Sequence, residues 1–316
     1  MASIQHHLLK FTLSNMSKPW KEKHESVEAL RKMLDLSAKM LYMPSGIEQE
    51  KLQISHIPAL WLRPELAAAE KVILYLHGGG YSVGSIKTHR AAASRLAQVS
   101  ESHSLIIDYR LAPEFPFPAA LEDAVLAYRY LLEQGYMSHQ IILAGDSAGG
   151  GLCLALQLSL REMKLPLPAA SVCFSPWADL TQLSETAHRL GKNDPIVPLE
   201  ELPDWALLYA GETSTAHPMI SPLLGDLSAL PPVLIQASDA EVLTHQAIRL
   251  AEALTKAEVE VELDLWPDML HVWQVMWQFV PEGESALKKA ALFMQNQWMR
   301  AGIAAIQNGS AEELAA

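Results

Sequence analysis

Short apolar runs alternate with longer amphipathic stretches through most of the chain. Each run has four or five residues, is rich in Val, Ile and Leu, and ends at Gly, Pro or polar residues, which is typical of buried strands. The stretches between the runs carry apolar residues three or four positions apart, which indicates helices. The predicted strands are 72–76, 104–108, 141–144, 170–174, 233–236 and 259–263, and the predicted helices are 89–100, 118–133, 148–163, 244–256 and 284–301. This pattern predicts an α/β protein with a mostly parallel central sheet flanked by helices.

Two regions do not follow the alternation. Residues 1–50 contain an amphipathic, Lys- and Glu-rich helical stretch over 18–40 and no obvious strand, and residues 181–225 are rich in Pro, Asp and Glu. Insertions after a strand of an α/β sheet usually lie at its carboxyl edge, where ligands bind. We therefore predict one helical cap built from 1–50 and 181–225, over a main domain built from 51–180 and 226–316.

Charge and composition narrow the functional classes. The chain has 24 Lys and Arg against 36 Asp and Glu, a net charge of −12, which argues against nucleic acid as a partner. No apolar run approaches the ~18 residues of a membrane span, and we expect no secretory signal at the N-terminus. Cys153 and Cys173 lie in apolar surroundings without metal-ligand spacing. We expect two buried free thiols and a cytoplasmic location.

The most informative motif is Gly-Asp-Ser-Ala-Gly at 145–149. It stands directly after one predicted strand and directly before a helix, which is the context of a nucleophile elbow. In such a turn the serine lies on a strained tip above the sheet, at the positive end of a helix. Ser147 is therefore the candidate nucleophile.

A second motif, His-Gly-Gly-Gly at 77–80, follows the first predicted strand. Consecutive glycines allow main-chain N–H groups to point at an oxyanion that develops on a substrate. With the N–H of Ala148, those of Gly78 and Gly79 would form a three-donor oxyanion hole. The spacing fits neither a phosphate-binding loop nor a dinucleotide fingerprint.

A nucleophilic serine needs a base, and four histidines follow Ser147 in the chain. His188 and His217 fall in the predicted cap, and His245 begins a helix. His271 lies in a loop just past the last predicted strand, where a base can enter the site. His271 is the candidate base.

The base in turn needs a carboxylate, which precedes the histidine in this chain order. Asp239 and Glu241 both follow the strand 233–236. Either carboxylate could accept the imidazole N–H. Spacing alone does not choose between them.

At this point the chain resembles the bacterial hormone-sensitive-lipase-like esterases, family IV of the α/β-hydrolase superfamily. The resemblance rests on His-Gly-Gly-Gly at 77–80, Asp-Tyr-Arg-Leu-Ala-Pro-Glu at 108–114, Gly-Asp-Ser-Ala-Gly-Gly at 145–150, Ser-Pro-Trp-Ala-Asp-Leu at 175–180 and Pro-Pro-Val-Leu-Ile-Gln at 231–236, and it covers about residues 70–300. It implies the α/β-hydrolase fold with a helical cap, and hydrolysis of carboxylic esters through an acyl-enzyme. It also implies that such proteins are often dimers, here through an exposed edge strand near 259–265.

The resemblance also favours one of the two carboxylates. Family members commonly carry the acid at the eleventh residue counted from the first proline of Pro-Pro-x-Leu-Ile, and counting from Pro231 gives Glu241. Many members have Asp at that position, and Ala240 before it departs from the usual pattern. The resemblance therefore implies Ser147, Glu241 and His271 as the catalytic residues, with Glu241 preferred to Asp239.

The function that follows is a serine carboxylesterase acting on short- to medium-chain esters, with a small-molecule ester as its partner and no metal or organic cofactor. Two alternatives remain open. One is a lactone hydrolase of the monoterpene ε-lactone type, which uses the same chemistry. The other is a non-catalytic receptor for a small ligand on a hydrolase scaffold. In that case the triad histidine would be missing. Two supporting predictions concern neighbours: Asp146 should anchor the elbow, and Arg110 should pair with Glu114.

Overall fold

The computed structural model describes residues 2–21, 26–181, 187, 189–190, 194–197 and 199–315, in which eight strands form one sheet. The strands are β1 (Ile47–Ile54), β2 (Ile57–Pro64), β3 (Ala68–Leu76), β4 (Ser102–Ile107), β5 (Ile141–Asp146), β6 (Ala170–Phe174), β7 (Val233–Ser238) and β8 (Val261–Trp266). The helices are α1 (Ile4–Lys21), α2 (Val27–Ser37), α3 (Ile86–Val99), α4 (Ala119–Glu133), α5 (Ala148–Glu162), α6 (Leu202–Ala210), α7 (Thr244–Lys256) and α8 (Pro281–Ala315). The predicted α/β architecture is confirmed.

The strand order places the chemistry-bearing loops together. Across the sheet the order is β1-β2-β4-β3-β5-β6-β7-β8, and all neighbours from β4 to β8 are parallel. Parallel strands end at the same edge of a sheet, so the loops that follow β3, β5, β7 and β8 meet there. These loops carry the glycine-rich segment, Ser147, Glu241 and His271.

Helices cover both faces of the sheet. Ile73 and Leu74 are neighbours in β3 and point to opposite faces, yet neither has measurable exposure. Ile73 belongs to an apolar cluster with residues of α3 and α8, and Leu74 to a larger cluster with residues of α4, α5 and α7. Burial on both faces explains why the central strands carry continuous apolar runs rather than an alternating pattern.

The expectation that residues 1–50 contain no strand is wrong, because β1 begins at Ile47. The hairpin of β1 and β2 pairs antiparallel and forms one edge of the sheet. Most side chains of β1 are exposed, so its sequence Ile-Glu-Gln-Glu-Lys-Leu-Gln-Ile has the polarity of a surface segment. Pro58 and Pro64 further weaken the strand pattern of β2, and both lie near the ends of that strand, outside the stretch 59–62 that pairs with β4.

Two further expectations concern the chain outside the sheet. The predicted amphipathic helix over 18–40 is described as two helices, α1 and α2, with residues 22–25 outside the described part. Cys153 and Cys173 are free and buried, as predicted. Among the described residues, no helix has the length and apolar character needed to cross a membrane.

Candidate active site

Ser147 lies in a sharp turn between β5 and α5. Its backbone has φ +52° and ψ −119°, a conformation that a residue with a Cβ adopts only under strain. The Ser147 N–H donates to Phe174 O at 2.8 Å, and the Ser147 carbonyl accepts from Trp177 N at 2.9 Å. These bonds to the neighbouring strand end hold the turn, and the Ser147 side chain is half-buried between fully buried neighbours.

The glycines around the serine have a steric cause. A Cβ at Gly149 would lie 2.0 Å from the Leu76 carbonyl oxygen, and a Cβ at Gly145 would lie 2.5 Å from the Gly149 carbonyl carbon. The first turn of α5 therefore passes so close to β3 and β5 that no side chain fits at either position. This close approach is what the Gly-x-Ser-x-Gly spacing encodes.

His271 and Glu241 form a buried pair. The Nδ1–H of His271 donates to Glu241 Oε2 at 2.5 Å, and both side chains are almost inaccessible. The other oxygen, Oε1, accepts from Ser175 Oγ and from the Ser238 N–H, each at 2.8 Å. The carboxylate is thus fixed on both oxygens, and it fixes the orientation and the tautomer of the imidazole.

The pKa of His271 is raised above its ordinary value of 6.5. Burial alone would lower this pKa, but the hydrogen bond that His271 donates to Glu241 and the negative charge of that carboxylate outweigh it. Asp194 and Asp146 add smaller contributions of the same sign. The imidazolium is therefore stabilised at this position.

Asp239, the other candidate acid, points elsewhere. It is exposed, and its Oδ1 accepts from the Asp268 N–H at 2.8 Å. The structure brings Glu241 and not Asp239 to His271. Among the other histidines, His217 Nδ1 accepts from Met219 N within its own loop, and His245 is not among the residues around the Ser147 cavity. His188 lies outside the described residues.

The glycine-rich loop after β3 is packed from two sides. A Cβ at Gly78 would lie 2.1 Å from Asp146 Oδ2, and a Cβ at Gly80 would lie 2.0 Å from Cε3 of Trp205 in α6. Gly79 has φ +118° and Gly80 has φ +59°, so the backbone also requires glycine there. Within the described chain, no hydrogen bond uses the N–H of Gly78, Gly79, Gly80 or Ala148.

A cavity of about 210 Å³ lies over Ser147. Its wall includes Ser147 and His271, and it includes Gly79 and Gly80 but not Gly78. The wall also contains residues from both predicted cap regions: Leu30, Leu34, Ile196, Val197, Leu202 and Trp205. Of the aromatic residues near the site, Trp177 and Trp205 line this cavity, whereas Trp273 is buried in a separate cluster.

His89 is a second histidine at the cavity, and none of the sequence motifs above pointed to it. Its Nε2 lies 3.3 Å from Asp146 Oδ2, and Tyr75 donates to Asp146 Oδ1 at 2.9 Å. These partners anchor Asp146 next to Ser147. The signal for His89 is the capping box of α3, in which Ser85 caps Thr88 N–H and so places the next residue, His89, in the first turn.

Both partners of this pair favour the charged state. Burial would lower the pKa of His89, but Asp146 raises this pKa above 6.5 overall. Burial would raise the pKa of Asp146, but His89 and Tyr75 lower that pKa below 3.8. The contribution of Asp146 to stability is complete above pH 3.8 and is lost as pH falls through its folded pKa. The contribution of His89 is complete below pH 6.5 and is lost as pH rises through its folded pKa. The pair therefore stabilises the fold most between pH 3.8 and 6.5.

Removing His89 should destabilise the protein. We expect His89→Leu to lower the free energy of unfolding by about 3 kcal/mol at pH 6, because it leaves the Asp146 carboxylate buried without its cation. Urea denaturation measures this change. The matched variant His7→Leu, at an exposed histidine, should change stability by less than about 0.5 kcal/mol. An equal effect of both variants would contradict the assignment.

The predicted pairing of Arg110 with Glu114 is wrong. Arg110 Nη2 donates to Asp123 Oδ1 at 2.8 Å, and Asp123 is fully buried. Glu114 instead receives two hydrogen bonds from Arg31 of α2, at 2.9 and 2.8 Å. Arg31 also donates to the carbonyl of Ser82 at 2.8 Å, so it ties α2 to the glycine-rich loop. Sequence reasoning could not find this partner, which lies 83 positions away.

The strand order and the serine turn at the end of β5 define the class of this protein, which is an α/β hydrolase. A family described as having the alpha/beta hydrolase fold matches residues 73–275. Within that class, the chain belongs to the bacterial hormone-sensitive-lipase-like esterases, as the motifs predicted.

Relatives of known name cover nearly the whole chain. An acetyl-hydrolase of Streptomyces hygroscopicus is 40% identical over 279 residues, which is 87% of this chain and 92% of that protein. The crystal structure of an esterase from the bacterial hormone-sensitive lipase family is 38% identical, with a TM-score of 0.89 over 94% of this chain and 100% of the other. EstE5, whose crystal structure was determined after a soak with p-nitrophenyl butyrate, is 37% identical, with a TM-score of 0.90 over the same shares.

Proposed function

We propose that this α/β hydrolase cleaves short- to medium-chain carboxylic esters through an acyl-enzyme on Ser147. Ester hydrolysis itself follows from the family and from its relatives, which are named acetyl-hydrolase and esterase. The observation that carries the proposed mechanism is the buried bond between His271 Nδ1 and Glu241 Oε2, next to the cavity that Ser147 and His271 share.

In the proposed mechanism, His271 acts through Nε2 while Glu241 holds its Nδ1–H. Nε2 accepts the proton of Ser147 Oγ as the oxygen attacks the ester carbonyl carbon. The carbonyl π bond becomes an oxyanion, which main-chain N–H groups stabilise. The imidazolium then protonates the leaving alcohol oxygen, the C–O bond breaks, and the acyl group remains on Ser147. Water repeats the cycle and releases the carboxylic acid.

The geometry supports a revised set of oxyanion donors. Gly78, Gly79 and Ala148 are the donors expected from the sequence, but the cavity wall contains Gly79 and Gly80. We propose that Gly79, Gly80 and Ala148 donate, while Gly78 serves the close packing against Asp146. Gly79 and Gly80 have unused main-chain N–H groups at the cavity wall, and Ala148 has an unused N–H directly after Ser147 in the chain.

The size of the cavity supports short acyl chains. A volume of about 210 Å³ holds about seven groups of water size, at ~30 Å³ each. That is enough for an acetyl or butyryl group and too little for a long-chain acyl group. The relative named acetyl-hydrolase and the structure soaked with p-nitrophenyl butyrate agree with this preference.

We propose that residues 1–50 and 181–225 act as the cap, with 51–180 and 226–316 as the catalytic domain. Leu30 and Leu34 of α2, and Ile196 and Trp205 of the insertion, line the cavity from the two regions. The boundary at 50 divides β1, so the cap region of the N-terminus extends to about residue 46 in structural terms. Residues 182–186, 188, 191–193 and 198 of the insertion lie outside the described part.

Neither alternative function is favoured. A receptor on a hydrolase scaffold would not need a histidine paired with a buried carboxylate, and the relatives reported above are named as hydrolases. A lactone hydrolase would use the same residues, but none of those names refers to a lactone. A cytoplasmic location and a homodimer stay predictions; β8 is an edge strand, which is the position a dimer through that strand requires.

Covalent labelling tests the proposed nucleophile. Phenylmethylsulfonyl fluoride should stop hydrolysis of p-nitrophenyl acetate and add one sulfonyl group, which mass spectrometry should find on Ser147. Among p-nitrophenyl acetate, butyrate, octanoate and laurate, kcat/KM should be highest for acetate or butyrate. A label on another residue would contradict the nucleophile, and a maximum at laurate would contradict the size argument.

The pH dependence should report the raised pKa of His271. The base must be neutral to accept the serine proton, so kcat/KM should fall as pH decreases through the pKa of His271. We expect the midpoint of this acid limb above pH 6.5, since Glu241 stabilises the imidazolium. Initial rates with p-nitrophenyl acetate, followed at the isosbestic wavelength of p-nitrophenol, measure it. A midpoint below pH 6.5 would mean that burial dominates.

A further inference from the structure

A second cavity lies on the other side of α2 from Ser147. It has a volume of about 1110 Å³, and its walls come from α2 and the turn after it, the β1–β2 hairpin and the start of α3. Leu30 and Leu34 of α2 face the Ser147 cavity, whereas Lys32 and Leu36 face the second one. We call this second cavity the basic cleft.

Basic side chains outnumber acidic ones in the wall of the cleft. The five are Lys32, Lys39, Lys51, Lys87 and Arg90. Two carboxylates accompany them, and both are engaged: Asp35 with Lys87 at 2.6 Å, and Asp108 with the Ile86 N–H at 2.5 Å. The whole chain has a net charge of −12, so the charge of the cleft is opposite in sign to that of the chain.

Three of the cations have no partner within the described chain. The side chains of Lys39, Lys51 and Arg90 take part in none of its hydrogen bonds or ion pairs, whereas Lys32 pairs with Glu28 at 2.6 Å. Arg90 is also half-buried. A half-buried guanidinium normally has an acceptor such as a carboxylate or phosphate, because its donors are otherwise unsatisfied.

The cleft also has an apolar surface. Leu36 is 60% exposed there, and Leu52, Pro58 and Leu60 contribute further apolar wall. A site for a free inorganic anion has no need of this surface, and a site for a neutral alkyl chain has no need of the cations. The combination is complementary to a molecule with an alkyl chain and one anionic end.

We propose that the basic cleft binds a medium-chain carboxylate as a single molecule. Its carboxylate contacts Arg90, Lys39 and Lys51, and its alkyl chain lies against Leu36 and Leu52. A ten-carbon acid has about twelve heavy atoms and fills ~360 Å³ at ~30 Å³ per group, well within the cleft. The proposal does not depend on ester hydrolysis, because it concerns residues outside the Ser147 cavity.

Isothermal titration with sodium decanoate below its micelle concentration tests the proposal. Wild type should bind one decanoate, and the double variant Lys39→Glu/Lys51→Glu should bind it at least about tenfold more weakly. The matched double variant Lys164→Glu/Lys256→Glu changes the net charge equally at exposed sites outside the cleft and should bind like wild type. Added NaCl should weaken binding to wild type.

A fluorescent label locates the bound decanoate. The two native cysteines are buried, so Leu36→Cys can be labelled selectively with an environment-sensitive dye, with Leu224→Cys as the control at another exposed leucine. Decanoate should change the emission at position 36 only. Hydrolysis of p-nitrophenyl acetate by Lys39→Glu/Lys51→Glu should stay at the wild-type rate, which separates this site from the catalytic one.

Several results would overturn the proposal. Absence of decanoate binding to wild type would do so directly. Equal affinity of wild type and Lys39→Glu/Lys51→Glu would place decanoate outside the basic cleft. Equal binding of decan-1-ol would show that the carboxylate charge plays no part in recognition. Equal binding of inorganic phosphate, or binding only to anionic phospholipid vesicles, would assign the cleft to a free anion or to a lipid surface instead.

Discussion

Ser147→Ala is expected to lower kcat for p-nitrophenyl acetate by about 10⁴-fold or more, because no other group can form the acyl-enzyme. The oxyanion donors and the cavity remain in this variant, so a small residual rate above the uncatalysed one should persist. Initial-rate kinetics on purified protein, with the uncatalysed rate subtracted, measures the loss.

Stability measurements show whether the loss is chemical. Alanine has a Cβ like serine, so the strain at φ +52° is unchanged and the urea midpoint should stay close to that of wild type. Ser228→Ala, at an exposed loop serine, should retain full activity. If Ser147→Ala kept more than a few per cent of the activity, another nucleophile would have to be sought.

Glu241→Gln is expected to lower kcat by about 10³- to 10⁴-fold, whereas Asp239→Asn should change it only a few-fold. The glutamine is close in size to glutamate, but its amide cannot stabilise the imidazolium and can hold His271 in the wrong tautomer. Asp239 accepts one main-chain N–H at the surface, so its amide variant loses little. Parallel kinetics on the two variants measures the difference.

The same pair of variants discriminates between the two candidate acids. A large loss in Asp239→Asn with a small loss in Glu241→Gln would reverse the assignment. Glu241 also accepts from Ser175 Oγ and Ser238 N, so Glu241→Gln carries a structural effect as well. The fraction of folded protein should therefore be measured by far-ultraviolet circular dichroism for each variant together with its kcat.

Features that depend on local periodicity could be predicted from the sequence. The central strands β3 to β7 carry mostly apolar runs because both of their faces are buried, and this leaves a signal that needs no tertiary information. Gly145 and Gly149 are likewise a local record of a close approach between the first turn of α5 and the strands. The positions of Ser147, Glu241 and His271 followed from the order of these elements and the resemblance.

Features that depend on distant contacts could not be predicted from the sequence. Glu114 pairs with Arg31 and not with Arg110. The strand β1 is largely exposed and therefore has the polarity of a loop. His89 has no motif of its own and becomes part of the site only because α3 begins at Ile86, where the cap by Ser85 fixes the start of the helix. The choice between Gly78 and Gly80 as an oxyanion donor also needs the cavity, since three successive glycines look alike in sequence.

The contact between Gly80 and Trp205 has a consequence for engineering. The two residues stand in different segments, one in the loop beside the nucleophile and one in the insertion, yet the indole leaves no room for a Cβ at position 80. An insertion taken from a relative would therefore have to match the glycine-rich loop of the protein that receives it. A tryptophan at position 205 would fit only a protein with glycine at position 80. Recombination libraries that cross over between positions 80 and 205 should contain a class of non-functional chimeras defined by this single pair.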